Sequence, residues 1–333
     1  MLLLGAGCQS AAPAPPATTA PAPTAATTKP AAPAASPASS PSAAAASSPS
    51  AAASPSAAAK PAASPAASPA AAAAASPSAV AGGRTINFDA IDFGYTLPDT
   101  IAAGPVTLVM RNTGKEAHHA QLLRLNTGVT LDQFTAALQQ GEGPALALVS
   151  FLGGNGALDP GPNSEEVTVD LPAGSYLVIC FLTGPDGIPH FAKGMLKPLT
   201  VTAATSTAPA VQPNPRVTVT LRDFDFDTPS DTLPSGKNTW RIDNKGPQPH
   251  EIQVAKLPSG GSSDDIMKFF SVPPAGPPTF QSVGGFQGID ANNGGFLSLD
   301  LTPGQYAFYC AIPDPTNGLR HLQEGMLKQV TIQ

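Results

Sequence analysis

Two stretches of the chain carry a thiol, an imidazole and a thioether in the same order. The first is CFLTGPDGIPHFAKGMLK, beginning at Cys180; the second is CAIPDPTNGLRHLQEGMLK, beginning at Cys310. Each runs from Cys through a Pro/Gly-rich loop to His, then four residues to Met, giving Cys180, His190, Met195 and Cys310, His321, Met326. Another histidine lies upstream of each set, His118 after NTGKEA and His250 after NKGPQP. Thiolate and thioether sulfur select a soft or borderline metal, and imidazole suits copper. Two His and one Cys in a plane, with a weak axial Met, make a type 1 copper centre that passes one electron. Two blander readings stand beside this one. A free Cys is usually a small buried hydrophobe, and two cysteines in an exported chain can pair as a disulfide. Neither explains why His and Met accompany Cys twice.

The chain holds five histidines and five methionines, and four of the histidines fall in these sets. The fifth, His119, has Glu251 as its counterpart and reads as an exposed strand residue rather than a ligand. Asp92 and Asp223 align, as do Phe93 and Phe224; they read as a turn and a core aromatic.

The elements that must position these residues are duplicated. Residues 84–203 and 214–333 align with each other: RTINFDAIDF with RVTVTLRDFDF, VTVDLPAGSYLVIC with LSLDLTPGQYAFYC, GMLKPLTV with GMLKQVTI. A period of about 130 residues is too long for a solenoid unit and marks a duplicated domain. The Ala/Pro/Thr stretch at 204–213 reads as the linker. In the first copy, short runs rich in Val, Ile, Thr and Phe predict strands at 85–88, 106–111, 120–125, 166–170 and 174–180. Thr130 and Gln133 have capping-box spacing before Phe134 and Leu138, which predicts a helix. Ser263, Asp264 and Asp265 before Ile266, Met267 and Phe269 predict its counterpart. Many short strands with one helix in a long connection predict an all-β fold of two tandem Greek-key β-sandwich domains.

Ahead of the repeats, residues 9–81 are almost only Ala, Pro, Ser and Thr, with 15 prolines and two charges, Lys29 and Lys60. Such a segment cannot bury enough apolar surface to offset chain entropy. Residues 9–83 are therefore expected to form a disordered, partly polyproline-like tether, spanning ~50 Å as a coil and up to about 200 Å if extended. Residues 1–8, MLLLGAGC, resemble the end of a bacterial lipoprotein signal without its basic segment, with Cys8 as the lipidated residue. That implies an exported chain, lipid-anchored to the bacterial cell membrane, with its domains facing periplasm or extracellular space. The whole chain has 17 Lys+Arg against 23 Asp+Glu. Without the tether lysines the balance is 15 against 23, with no basic cluster, which argues against a nucleic-acid partner.

Both halves resemble cupredoxins, the blue-copper fold of plastocyanin, azurin and the domains of copper nitrite reductase. The resemblance rests on the Asn-x-Gly…His strand start, the Pro-Gly-x-Tyr-x-x-x-Cys strand (Pro303 to Cys310) and the His-x4-Met ending, and covers about 240 residues. The Cys-to-His loops, with nine and ten intervening residues, are longer than in plastocyanin-like members and nearer to copper nitrite reductase. The resemblance implies one copper per domain, held by His118, Cys180, His190 and Met195 and by His250, Cys310, His321 and Met326. It also implies that the downstream His offers its ring edge to a redox partner. An electron carrier serving partner proteins of the cell envelope is the leading expectation. A copper-handling protein or a metal-free binding or adhesion module is the alternative. A copper oxidase or nitrite reductase needs further histidines, such as His-x-His pairs, which the sequence lacks; no enzyme is expected.

Overall fold

Apolar residues alternate along the short runs, and that alternation dictates strands with one face inward. In the first run Ile86, Phe88 and Ala90 point into the core while their neighbours face out. The computed structural model describes residues 84–204, 212–271 and 278–333. Cys8, the tether and most of the linker lie outside those residues.

The strands of the first half are β1 (Arg84–Ile91), β2 (Gly94–Tyr95), β3 (Thr100–Ala102), β4 (Gly104–Asn112), β5 (His118–Leu125), β6 (Val149–Leu158), β7 (Ser164–Leu171), β8 (Gly174–Ile179) and β9 (Leu196–Thr202). The second half repeats them in order as β10 (Val217–Arg222), β11 (Asp225–Asp227), β12 (Thr232–Leu233), β13 (Gly236–Asn244), β14 (His250–Lys256), β15 (Gln281–Ile289), β16 (Gly294–Leu301), β17 (Gly304–Tyr309) and β18 (Leu327–Ile332). Each half is a sandwich of mixed sheets. β1 runs parallel to β4 and β3 to β9, while β5 pairs antiparallel with both β6 and β8. The expected all-β sandwich is present in both halves. Tyr176 and Tyr306 fasten the turns before β8 and β17 by donating to Pro172 O and Thr302 O, at 2.7 and 2.8 Å.

The helix α1 (Leu131–Leu138) carries the expected capping box, with Thr130 and Gln133 bonded reciprocally. It is followed by a short α2 (Glu142–Leu146) that the sequence reading missed. In the second half α3 (Ser263–Ser271) occupies the same connection.

The halves share their sheets. One sheet has eight strands in the order β11-β10-β13-β16-β7-β4-β1-β2, and the other has ten, β12-β18-β17-β14-β15-β6-β5-β8-β9-β3. The seam pairs β7 with β16 and β6 with β15. The sequence reading missed β6 and β15, because GGNG and GGFQG argue against strands. Here the glycines serve close approach: a Cβ on Gly156 would lie 2.3 and 2.4 Å from the N and Cα of Gly285. One buried cluster then contains Phe88, Leu108 and Tyr176 of the first half together with Trp240, Phe286 and Phe308 of the second.

Candidate metal centres

His118 opens β5 after a turn that Asn112 braces. Its Nδ2 donates to Glu116 O and Leu158 O, both at 2.7 Å, and its Oδ1 accepts from Gly114 N at 2.9 Å. Asn244 does the same in the second half, donating to Gln248 O and Ile289 O and accepting from Gly246 N. The glycine is needed for space. A Cβ on Gly114 would sit 2.4 Å from Asp92 Oδ1 and 2.7 Å from His118 Nε2, and Gly246 is as crowded by His250 and Asp223.

The other three residues of each set come from the loop after β8 or β17. His190 N donates to Leu182 O, Met195 N to His190 O, and Cys180 N to Met195 O, at 2.8, 2.9 and 3.1 Å. The second loop repeats these bonds with His321 to Ile312, Met326 to His321, and Cys310 to Met326. A 3₁₀ turn at His190–Lys193 ends on Gly194 at φ 107°, and one at His321–Glu324 ends on Gly325 at φ 119°. Those left-handed positions favour glycine. All eight sequence-predicted residues are buried.

The structure brings His118, Cys180 and His190 together, and likewise His250, Cys310 and His321; in each trio the ligand atoms lie within 4.8 Å of one another. His118 Nδ1 is 3.1 Å from His190 Nδ1, and Cys180 Sγ is 3.5 Å from His190 Nδ1. The corresponding distances in the second half are 3.0 and 3.3 Å. Met195 and Met326 are fully buried and joined to their Cys and His through the main chain.

Residues that the sequence reading passed over fix the histidine tautomers. His118 Nε2 lies 3.0 Å from Asp92 Oδ1, and His250 Nε2 lies 2.5 Å from Asp223 Oδ1. His190 Nε2 lies 2.8 Å from Glu116 Oε2. A carboxylate can only accept, so these Nε2 atoms carry protons and the facing Nδ1 atoms carry lone pairs. Two such lone pairs 3.1 Å apart, beside a thiol, are a donor set suited to a metal ion. The signal was present in the sequence as the repeated Asp-Phe pair, which a turn seemed to explain. Phe93 and Phe224 pack their rings against the histidines, with centroids 5.2 Å from His190 and 4.9 Å from His321.

Burial lowers the pKa of each of the four histidines, partly opposed by the carboxylate where there is one; His321 falls to about 4, with His250 beside it adding to the effect. Burial pushes the Cys180 thiol up to about 12, against the N–H groups of His119 and Leu182, and pushes Cys310 well above its ordinary value. The metal-free centres at neutral pH therefore hold neutral imidazoles and protonated thiols. Cys180 and Cys310 are both free, so they form no disulfide with each other.

Two expectations need correction. His119 is not exposed but 6% accessible. Phe181 N donates to its Nε2 at 2.6 Å, and the side-chain amide nitrogen of Gln287 lies 2.7 Å from its Nδ1. Glu251 serves the same main-chain position in the second half, where its Oε1 accepts from Ala311 N at 2.8 Å. His119 and Glu251 thus each satisfy the N–H that follows the cysteine, and both line an open cavity of about 870 Å³ between the halves. Burial, with His190 and His118 nearby, lowers His119 to about 3. The second correction concerns the downstream histidines, which present no ring edge to solvent: His190 is 1% exposed and His321 0%.

No family model matches the chain, and no curated protein matches it. Among solved structures it is similar to dithionite-reduced auracyanin from Roseiflexus castenholzii, at 20% identity over 35% of this chain and 94% of that one, with a TM-score of 0.26. It is similar to auracyanin A, a blue copper protein of Chloroflexus aurantiacus, at 23% identity over 36% and 100% of the two chains, with a TM-score of 0.25. It is also similar to the copper-containing nitrite reductase of Thermus scotoductus, at 10% identity over 75% and 62%, with a TM-score of 0.23.

Proposed function

We propose that this chain is a copper-binding electron carrier with one type 1 centre in each half. His118, Cys180, His190 and Met195 would hold the first copper, and His250, Cys310, His321 and Met326 the second. The observation that carries this reading is the pair of Nδ1 lone pairs held face to face at 3.1 Å over a buried thiol. Bound copper would supply one-electron redox chemistry. The chain's own residues hold the Nε2 protons of His118, His250 and His190 through Asp92, Asp223 and Glu116, exclude water, and keep the ligands rigid. A rigid set suits electron transfer, because neither oxidation state then requires rearrangement.

Carrier is favoured over oxidase by the histidine count. Four of the five histidines belong to the two centres, and His119 is committed to Phe181 N and Gln287. No imidazole in the chain is left for a further copper. Exposed apolar side chains favour a docking role. Among the described residues the exposed large hydrophobics are Ile91, Ile188 and Leu319. Ile91 adjoins Asp92, while Ile188 and Leu319 each stand two residues before a ligand histidine. A brief contact with a redox protein of the cell envelope at these loops belongs to the same proposal, and a small footprint suffices for it. Electrons would enter such contacts beside the loops, since the ring edges are covered. The anchor would be a lipid on Cys8, with the Ala/Pro/Ser-rich segment as tether; no helix among the described residues is long and apolar enough to cross a membrane.

The test is optical. The full chain loaded with Cu(II) is expected to absorb intensely in the visible, to bleach with a reductant, and to lose part of the band in Cys180→Ser and the rest in Cys310→Ser. A colourless protein that retains no stoichiometric copper would overturn the proposal.

A further inference from the structure

The two halves differ on the outer side of the downstream histidine. In the first half Glu116 accepts from His190 Nε2, and Lys193 lies 3.9 Å from Glu116 and 2.8 Å from Asp186. The carboxylates there have a cation among them. In the second half Gln248 stands in place of Glu116 and Glu324 in place of Lys193. A nitrogen of His321 and carboxylate oxygens of Asp314 and Glu324 lie within 4.8 Å of one another. Neither Asp314 nor Glu324 has an ion-pair partner among the described residues. The nearest arginine in sequence, Arg320, is turned away, donating to Ala311 O and lying over the Phe270 ring.

Hydrogen-bond accounting shows what this group lacks. Asp223 takes the Nε2 proton of His250, so His250 Nδ1 is an acceptor. His321 Nδ1, 3.0 Å away, supplies that hydrogen bond in the tautomer that carries the ring proton on Nδ1. That leaves His321 Nε2 with a lone pair. It is fully buried and has no partner, and Glu324 Oε2 and Gln248 Oε1 are buried without partners as well. Gln248 belongs to the same group, since its Nε2 donates to Asp314 Oδ2 at 2.9 Å. Thr316 N and Oγ1 hold Asp314 Oδ1, and Asn317 Nδ2 holds Glu324 Oε1. With the ring proton on Nδ1 the orphaned atoms are all acceptors, and buried acceptors are normally satisfied.

We propose that Asp314, His321 Nε2 and Glu324, with Gln248 Oε1, form a divalent-cation site of the second half that shares His321 with the proposed copper centre, competes with it for that ring, and is suited to Zn²⁺. One imidazole nitrogen with two carboxylates is a zinc-type donor set, and the oxygens alone would be too few for calcium. Neutral imidazole donates its lone pair directly, so the uptake requires no redox change. Glu324 is only half-buried, which gives the cation a way in. The first half cannot build the same site, because Glu116 takes the Nε2 proton and Lys193 supplies the charge.

The test uses Zn²⁺ alone on the full chain carrying Cys180→Ser and Cys310→Ser, which disables both thiol sites and separates this inference from the copper reading. Zinc content and affinity are compared with the same chain carrying in addition Glu324→Lys, the residue type of the first half, or Asp314→Asn. Each added substitution is expected to remove one equivalent of zinc, or to weaken it by at least ~100-fold, since loss of even an outer partner costs about 10–100-fold. Thermal melts of the metal-free variants verify folding, and Asp314→Asn serves if Glu324→Lys fails to fold. Equal zinc content and affinity with and without the added substitutions would overturn the site, as would no zinc binding in the parent.

Discussion

The protonated thiol at each centre makes a quantitative demand on the metal-free protein. Burial holds Cys180 at about 12 against an ordinary 9.0. A group raised on folding contributes stability that is complete below its unfolded pKa and is lost as pH climbs toward the folded one. The window here is pH 9 to 12. At ~1.36 kcal/mol per unit, Cys180 alone withdraws about 1.4 kcal/mol by pH 10 and about 4 kcal/mol by pH 12. Cys310, Tyr176 and Tyr309 are raised by burial too and act with the same sign. The Cys180 share is isolated by Cys180→Ala, whose cavity penalty does not vary with pH. Urea unfolding of the metal-free full chain at pH 8 and pH 10 is the assay. The wild type is expected to lose about 1.4 kcal/mol more than Cys180→Ala, roughly tenfold in the folding constant. Parallel losses in the two proteins would refute the buried-thiol argument. The same proton must leave on metal uptake, since the thiolate is the ligand. Calorimetric copper titration at pH 7 in buffers of different ionisation enthalpy should therefore show about one proton released per centre.

Three further outcomes are expected. Glu165 is fully buried on β7 and accepts from Gly285 N across the seam at 2.7 Å, while its Oε1 has no partner. Burial raises its pKa well above the ordinary value, so it weakens the fold as pH rises above the unfolded carboxyl's pKa. Glu165→Gln should add about 1–3 kcal/mol at pH 7 and nothing at pH 4, by urea unfolding. Asp92→Ala should weaken copper retention by the first centre about 10–100-fold in chelator competition, measured in Cys310→Ser so that only the first thiol remains. The sheet register sets the distance between centres. His118 lies opposite Leu158, His250 opposite Ile289, and Ile289 opposite Leu152. Three inter-strand steps of about 4.8 Å and six residues of about 3.3 Å put the His118 and His250 positions ~25 Å apart, so two bound coppers would be expected at about that separation. Pulsed dipolar EPR of the doubly loaded Cu(II) protein measures this, and a separation under about 15 Å would contradict the register.

What was legible in the sequence was what local chemistry writes locally. The repeated Cys/His/Met loop, the Asn-x-Gly turn before each histidine, and the Thr130/Gln133 cap all rest on residues a few positions apart, and the structure shows the same local fold for each. What was not legible depends on residues far apart in sequence. Asp92 reaches His118 over 26 residues, and Glu116 reaches His190 over 74. β6 and β15 look like loops because their glycines are valued by a neighbouring backbone that the local sequence does not contain. His119 looked exposed because a polar residue on a strand usually faces water. It is buried because the halves close over it and Gln287, 168 residues away, meets its ring.

The two halves keep the same four residue types, His, Cys, His and Met, and differ in the groups behind them, so they need not be equivalent. In the first, Glu116 and Asp92 hold both Nε2 protons, and both Nδ1 lone pairs face the centre before any metal arrives. No proton on either ring has to move when copper binds there; only the thiol proton leaves. In the second, no carboxylate bonds His321 Nε2, so nothing there holds the ring proton away from Nδ1, the atom that copper would need. Copper uptake there requires that proton to leave Nδ1, and the ring to take one on Nε2, where Asp314 and Glu324 stand as acceptors. A cation already on Nε2 would oppose that exchange, because one neutral imidazole cannot give both lone pairs. Two residue changes between the halves, Glu116 against Gln248 and Lys193 against Glu324, are enough to produce this difference. Copper occupancy of the second half is therefore expected to fall more steeply with rising zinc than that of the first, as metal analysis of the two single Cys→Ser variants would measure.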